Sequence, residues 1–294
     1  MKVLTTIVLG AAGLMGIAAA SLLILKKRMF PDPKPLCDNG NRVEVRKLPI
    51  YSAGHTLYGE LLLPMDGKEK HPTVVCSHGF NGSYRYFREG VGMMLALSGY
   101  AVYCFDFYGG STFGKSGGKT TEMNVFFERE QLHGVIEYIK AQPFCDADNL
   151  LLWGESQGGF VTAITAAWHT EDVHALALFY PAFCLEDDIL KKYRSYDELP
   201  DTMNSMGVSI SKKYYEGLFG YDAYAEAGKF KNPVLIVHGD ADRTVDVSYG
   251  RRACDAYENA RLEILPGEDH GFSPKGKRTG AQMVYNFFEK VRNG

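Results

Sequence analysis

The feature that most constrains this chain is an apolar run that leads directly into a tight, glycine-flanked serine turn. Residues 150–158 read Leu-Leu-Leu-Trp-Gly-Glu-Ser-Gln-Gly. A buried strand, a G-x-S-x-G turn and a helix in this order form a nucleophile elbow, whose strained turn exposes the serine hydroxyl. Gly154 and Gly158 lack the Cβ atoms that would clash in such a turn. The pattern predicts that Ser156 is a nucleophile and that the backbone N–H of Gln157 faces a developing oxyanion.

Length and composition indicate an ordinary globular body. The chain has 294 residues, of which 46% are hydrophobic and 23% are charged, enough for one large domain with a substantial core. The net charge of −3 gives no basic field that would attract nucleic acid. The six cysteines form no C-x-x-C pair and have no zinc-like spacing with histidines, which favours reduced thiols. We therefore expect no metal, no cofactor and no nucleic-acid partner, and oligomeric state stays open.

The N-terminus differs from the rest of the chain. The stretch from Val3 to Leu25 contains no charged residue and is long enough to span a bilayer as a helix. The basic cluster at 26–28 follows at once, which favours a membrane anchor over a cleaved signal peptide ending near Ala20. By the positive-inside rule, the same cluster predicts that the body lies on the cytoplasmic side. We expect a single-pass transmembrane anchor at residues 1–28.

After this anchor, buried strands alternate with amphipathic helices. We predict a proline-rich linker at residues 29–41 and an α/β body at residues 42–294, with a mostly parallel central sheet and helices on both faces. The body opens with a hairpin. The predicted strands are 42–48, 57–63, 73–77, 101–107, 150–153, 176–180, 234–237 and 262–265, and the predicted helices are 85–98, 123–140, 157–169, 247–258 and 280–291.

One long segment interrupts the alternation. Residues 182–231, which we call the insertion, follow the sixth strand and show no clear strand pattern. An insertion of this length is usually functional, and its many tyrosines suit a lid over an amphipathic substrate. The simpler alternative is that these tyrosines pack the insertion onto the body.

A serine nucleophile needs a base and an acid to orient that base. Asp240 and Asp242 both follow a buried strand, and His270 follows the next one. Such loops beyond strand ends are where open α/β sheets build their sites. Either aspartate is available as the acid, and the His-Gly-x-x-Asp-x-x-Val pattern favours Asp242. His238 directly follows a strand and is interpreted as structural.

A further loop follows the strand at 73–77. Residues 77–82, Ser-His-Gly-Phe-Asn-Gly, form what we call the oxyanion loop. Its glycines allow the backbone to approach a substrate, and the N–H of Phe80 is the predicted second oxyanion donor. His78 is expected to brace this loop without contacting substrate.

These four motifs, in this order, resemble the α/β-hydrolase superfamily, and most closely its bacterial cinnamoyl/feruloyl esterase-like serine hydrolases. The resemblance covers roughly residues 43–292. It implies carboxylic ester hydrolysis through an acyl-enzyme and an insertion after the sixth strand that shapes the substrate pocket. The chain departs from these relatives in carrying Glu155 where they commonly carry histidine before the nucleophile.

The favoured hypothesis is a serine esterase that uses Ser156, His270 and Asp242 and needs no cofactor. Its substrate would be a small ester. A second hypothesis changes the substrate: a lysophospholipase, a monoacylglycerol lipase or an oligopeptidase-like enzyme, with the predicted anchor favouring lipid. A third is a catalytically silent, membrane-tethered binding scaffold, against which the complete set of three residues argues.

Overall fold

The computed structural model describes residues 33–38 and 40–294. The predicted anchor at residues 1–28 lies outside the described residues. Within the described ranges, no helix combines the length and the apolar character needed to cross a bilayer.

The described residues form twelve strands. In chain order they are β1 (Val43–Lys47), β2 (Ile50–Ser52), β3 (His55–Leu57), β4 (Gly59–Pro64), β5 (His71–Ser77), β6 (Ala101–Phe105), β7 (Cys145–Glu155), β8 (Ala175–Phe179), β9 (Thr202–Ser205), β10 (Val208–Ser211), β11 (Val234–Gly239) and β12 (Ala260–Leu265). Eight of them form one sheet in the order β1-β4-β6-β5-β7-β8-β11-β12. The pairs β1–β4 and β4–β6 are antiparallel, and every later pair in this order is parallel. The mostly parallel sheet predicted from the sequence is confirmed.

Helices cover both faces of this sheet. They are α1 (Gly92–Leu97), α2 (Val125–Lys140), α3 (Ser156–Ala166), α4 (Leu185–Leu190), α5 (Ala223–Ala227), α6 (Val247–Ala256) and α7 (Pro274–Asn293). Helices α2, α3, α5 and α6 contribute to the core on one face, and α1 and α7 to the core on the other. Strand side chains alternate between the two faces, so Leu150 and Leu152 join the first core, whereas Leu151 and Trp153 join the second. Strand β7 is therefore apolar on both faces, which explains its unbroken hydrophobic run.

Two predicted elements at the start of the body need correction. The predicted helix at 85–98 is not continuous: a π-helical turn at Phe87–Val91 precedes α1, and Gly90 has non-helical dihedrals of φ −129° and ψ −119°. Glycine tolerates such a conformation because it has no Cβ. The predicted opening hairpin does pair β1 with β4, but a second small hairpin, β2–β3, projects between them.

The expectation that the insertion contains no strand is wrong. Strands β9 and β10 pair as an antiparallel hairpin, with Met203 opposite Ile210. Met206 and Gly207 both have positive φ, 51° and 83°, at the turn. Positive φ at both central residues is the signature of the tight turn that joins two short strands. The alternation is only four residues long on each side, which hides it in the sequence.

The stretch just before the body packs on it. The Leu36 N–H donates to Ser98 Oγ at 2.7 Å, and the Leu36 side chain is 6% exposed. From α7, the Gln282 amide donates to the carbonyl of Leu36 at 3.0 Å. Residues in the second half of the predicted linker thus contact both α1 and α7.

Candidate active site

Ser156 stands at the junction of β7 and α3, in a strained turn. Its φ is +49°, a region that L-residues with side chains rarely adopt. A Cβ on Gly158 would collide with the carbonyl oxygens of Ser77 and His78, and one on Gly154 would collide with the Gly158 carbonyl and Thr162. These collisions explain why the turn needs glycine on both sides of Ser156.

The structure brings the three residues proposed from the sequence together. His270 Nε2 lies 3.0 Å from Ser156 Oγ, and His270 Nδ1 lies 2.8 Å from Asp242 Oδ2. Because an ionised aspartate only accepts hydrogen bonds, Nδ1 carries the proton and Nε2 is free to accept from the serine hydroxyl. His270 is thus oriented to withdraw a proton from Ser156.

The Asp242 side chain is fully buried and is held by several donors. The N–H groups of Thr244 and Val245 each donate to Oδ1 at 2.9 Å, and His238 Nε2 lies 3.3 Å from Oδ2. Burial by itself would raise the pKa of Asp242, but the bonds from His238, His270 and Val245 outweigh it and hold the pKa well below its ordinary value. Asp242 therefore keeps its negative charge next to His270.

The alternative acid considered from the sequence lies elsewhere. Asp240 is exposed, and its Oδ1 accepts a hydrogen bond from the Gly267 N–H at 2.6 Å. This bond ties the loop after β11 to the loop after β12, so Asp240 shapes the turn between them. His238, interpreted as structural, contacts the acid itself, which sequence reasoning missed.

The oxyanion loop lies against the elbow. A Cβ on Gly79 would lie 3.0 Å from Ser156 Cβ, so only glycine allows this approach without displacement. Phe80 follows Gly79, and Gln157 is the second residue of α3. Among the described residues, neither the Phe80 N–H nor the Gln157 N–H has a protein acceptor. The Gln157 N–H lies in the first turn of α3, where free N–H groups are suited to hold an anion.

His78 fixes the peptide that carries the Phe80 N–H. The Phe107 N–H donates to His78 Nε2 at 3.2 Å, so His78 Nδ1 bears the proton and donates to the Gly79 carbonyl at 2.8 Å. A trans peptide directs its N–H opposite to its C=O. Because the Gly79 carbonyl is held towards His78, the Phe80 N–H of the same peptide group points away from His78. His78 braces the loop, as expected from the sequence.

A cavity of about 490 Å³ opens at Ser156. Phe80 and Gln157 line it together with Ser156, and much of the remaining wall comes from the insertion. The apolar and aromatic part of that wall includes Leu185, Ile189, Tyr193, Met203, Tyr214 and Tyr215. The insertion thus contributes directly to the space in which a substrate of Ser156 would lie.

A buried polar chain beneath the cavity escaped the sequence analysis. Gln157 Nε2 donates to Glu128 Oε2 at 2.8 Å, and the Tyr214 hydroxyl donates to Gln157 Oε1 at 2.6 Å. Glu128 is 1% exposed, and its burial raises its pKa to about 8. The side chain of Gln157 therefore links α2 to Tyr214 of the insertion. The sequence signal for this chain of hydrogen bonds is Glu128 itself, a glutamate among the apolar positions of a helix.

The raised pKa of Glu128 makes stability depend on pH. Between its unfolded pKa and about 8, the folded chain holds a proton that the unfolded chain releases, so the free energy of unfolding falls as pH rises. Glu128→Gln cannot titrate and keeps an oxygen to accept from Gln157. We expect it to exceed the wild type in unfolding free energy by roughly 2–4 kcal/mol at pH 8.5, and by much less at pH 5.

Urea denaturation at both pH values measures this difference. The matched control is Glu130→Gln, because Glu130 is exposed on the same helix. A Glu128→Gln variant with the same pH dependence as the wild type would contradict the prediction.

One group of described residues is spaced to hold a metal ion. It consists of His133, Glu137 and His169, near the opposite end of α3 from Ser156. His133 Nδ1 and His169 Nε2 lie 2.9 Å apart and hydrogen-bond to each other. This group is separate from the Ser156 site and contributes no side chain to its cavity.

Comparison with known proteins identifies the family of this chain. A family model described as the prolyl oligopeptidase family matches residues 87–294 of the 294. The chain belongs to the prolyl oligopeptidase family. The match contains Ser156, Asp242 and His270, and it begins after the oxyanion loop.

Individual relatives point to the same fold with several activities. The uncharacterized peptidase YtmA of Bacillus subtilis is 22% identical, over 77% of this chain and 82% of its own. The mouse monoacylglycerol lipase ABHD6 is 21% identical, over 77% and 79% respectively. A solved structure of Est1E from Butyrivibrio proteoclasticus with ferulic acid bound is 25% identical, with a TM-score of 0.76, and covers 84% of this chain and 100% of that one. The α/β-hydrolase resemblance is confirmed, and the protein is an α/β hydrolase of the esterase and peptidase kind.

Proposed function

We propose that this protein is a serine hydrolase that cleaves carboxylic esters through an acyl-enzyme. Ser156 is the nucleophile, His270 the general base and then the general acid, and Asp242 the group that orients His270. The observation that carries the proposal is the pair of hydrogen bonds that join the three side chains, at 3.0 Å and 2.8 Å. The backbone N–H groups of Phe80 and Gln157 form the oxyanion hole.

The reaction follows from this arrangement. Ser156 Oγ attacks the ester carbonyl carbon while its proton passes to His270 Nε2, and the carbonyl oxygen becomes an oxyanion facing the two N–H groups. His270 then protonates the departing alcohol as the carbon–oxygen bond breaks. Water repeats the sequence on the acyl-enzyme, releasing the acid and restoring Ser156. Asp242 stabilises the imidazolium at each stage.

The cavity supports an ester with an apolar or aromatic group. Its apolar wall would bury such a group. The likeness to Est1E with bound ferulic acid and to a monoacylglycerol lipase supports ester substrates. The family match favours one second candidate, hydrolysis of a peptide bond by the same three residues.

A substrate panel with active-site labelling tests the proposal. We expect a fluorophosphonate probe to label the protein at Ser156, because the probe reacts with an activated serine. We expect p-nitrophenyl esters and methyl ferulate to turn over with kcat/KM at least about 100-fold above that for a proline-containing peptide p-nitroanilide, because an ester carbonyl is less resonance-stabilised than an amide carbonyl and carries a better leaving group.

Peptide hydrolysis that equals or exceeds ester hydrolysis would favour the second candidate. A folded protein that neither reacts with the probe nor hydrolyses any member of the panel would overturn both and support the binding-scaffold hypothesis. Mass spectrometry of the labelled peptide identifies the modified residue.

A further inference from the structure

Glu155, the residue immediately before the nucleophile, is a buried carboxylate with two separate partners. It ends β7 and is 8% exposed. It caps no backbone N–H of α3, although it occupies the N-cap position. Its two oxygens are directed instead to different parts of the site, one to the oxyanion loop and one to the residue after β8.

The first oxygen holds the oxyanion loop. The Gly79 N–H donates to Glu155 Oε1 at 3.2 Å within the buried interior. Since His78 holds the carbonyl of the same residue, Gly79 is held at both its N–H and its C=O. The next N–H along the chain is that of Phe80. Rotation of the Gly79–Phe80 peptide group would therefore break one or both of these bonds. Two anchors on Gly79 thus define the direction of the Phe80 N–H.

The second oxygen holds the aromatic surface under His270. The Tyr180 hydroxyl donates to Glu155 Oε2 at 2.8 Å. Its oxygen in turn accepts a hydrogen bond from the Tyr86 hydroxyl at 3.0 Å. Tyr180 is fully buried and has a φ of +36°, so tertiary contacts must hold it in place. Its ring centroid lies 4.6 Å from that of His270. The Glu155–Tyr180 bond therefore fixes one face against which His270 packs.

We propose that Glu155 is a positioning residue that sets the oxyanion loop and the support of His270 from opposite sides of Ser156. The proposal rests on the proposed serine-hydrolase function. A single carboxylate suits this task because it accepts two hydrogen bonds in diverging directions, which a histidine at the same position cannot do. Glu155 itself contacts neither substrate nor the reacting atoms.

The competing interpretation is that Glu155 only stabilises the fold. Its physical basis is the buried Lys277. Burial lowers the pKa of Lys277, and the negative charge of Glu155 opposes that shift by stabilising the charged ammonium group. A purely structural role would change the melting temperature and the folded fraction. A positioning role changes kcat and the affinity for a tetrahedral oxyanion, which a trifluoromethyl ketone forms when Ser156 adds to its carbonyl and the proton passes to His270.

Three variants separate these roles. Glu155→Ala removes both hydrogen bonds of Glu155, and Glu155→Gln keeps an oxygen that accepts from Gly79. Tyr180→Phe keeps the bond to Gly79 and removes the one to Tyr180, together with the bond between Tyr86 and Tyr180. Tyr257→Phe is the matched control, because it removes a buried tyrosine hydroxyl that has no partner among the described residues and lies outside the cavity. The measurements are kcat and KM for p-nitrophenyl butyrate, the Ki of a trifluoromethyl ketone and the melting temperature.

We expect Glu155→Ala to lower kcat by roughly 10- to 100-fold, less than the full loss of an oxyanion donor, and to raise the Ki of the ketone by a similar factor. KM should change by less than about threefold, because ground-state binding uses the cavity wall rather than the oxyanion hole. Tyr180→Phe should lose less than Glu155→Ala, and Glu155→Gln should recover most of the loss. Tyr257→Phe should match the wild type.

Two outcomes would overturn the inference while leaving the proposed function intact. One is an active wild type whose Glu155→Ala variant retains kcat and ketone affinity. The other is a loss no larger than the loss of folded protein, with Glu155→Gln no better than Glu155→Ala. A wild type that hydrolyses no ester and does not bind the ketone overturns the proposed function, and this inference with it.

Discussion

Ser156→Ala is expected to lower kcat/KM for p-nitrophenyl butyrate by about 10⁴-fold or more. The Ser156 hydroxyl, which hydrogen-bonds to His270 at 3.0 Å and lines the cavity, is the proposed nucleophile. Without this hydroxyl, water must attack the ester directly, and the only remaining rate acceleration comes from the oxyanion hole and from substrate binding. The substitution removes one oxygen and keeps the Cβ that packs near Gly79, so the fold should persist.

The control is Ser195→Ala, an exposed serine of the insertion that does not line the cavity. It should hydrolyse the ester at the wild-type rate. Melting temperatures of both variants show whether folding is retained. If a folded Ser156→Ala variant kept more than a few per cent of the activity, Ser156 would not be the nucleophile.

Asp242→Asn is expected to reduce kcat by about 10³- to 10⁴-fold. Asp242 Oδ1 accepts from the N–H groups of Thr244 and Val245, so an asparagine would place its oxygen there and its NH₂ towards His270. His270 Nδ1 would then have to accept, its proton would move to Nε2, and Nε2 would no longer accept from Ser156. The negative charge that stabilises the imidazolium would also be lost.

Asp240→Asn is the matched comparison, two residues away. Asp240 is exposed and accepts from the Gly267 N–H, a bond that the asparagine oxygen can keep. We expect its kcat to stay within about threefold of the wild type, since no charge next to His270 changes. Comparable losses in the two variants would show that Asp242 does not act specifically as the acid.

Much of the fold was predictable because the sheet is buried on both faces. Leu150 to Trp153 is an unbroken apolar run, and only a strand covered on both sides needs one. The order of Ser156, Asp242 and His270 was equally visible, because each residue lies just beyond the end of an apolar run. The structure places these three within hydrogen-bonding distance, and their catalytic roles are the proposal that the two variants test.

Other features depended on partners that are distant in the chain. The sequence shows Glu155 in the elbow but not that Tyr180 and Gly79 meet its two oxygens. Gln157 was noted for its backbone N–H, while its side chain joins Glu128 to Tyr214. The short β9–β10 hairpin was missed since four-residue alternation is weak evidence for a strand.

The sequence by itself determined the alternation of strands and helices, the elbow around Ser156 and the chain order of Ser156, Asp242 and His270. These follow from local causes, namely side-chain periodicity and the need for glycine where Cβ atoms would collide. Only the tertiary structure placed Asp242 rather than Asp240 against His270, gave Glu155 its two partners and set the insertion against the cavity. Hydrogen bonds between residues far apart in the chain decide these points, and their geometry exists only once the strand ends have been brought to one edge of the sheet.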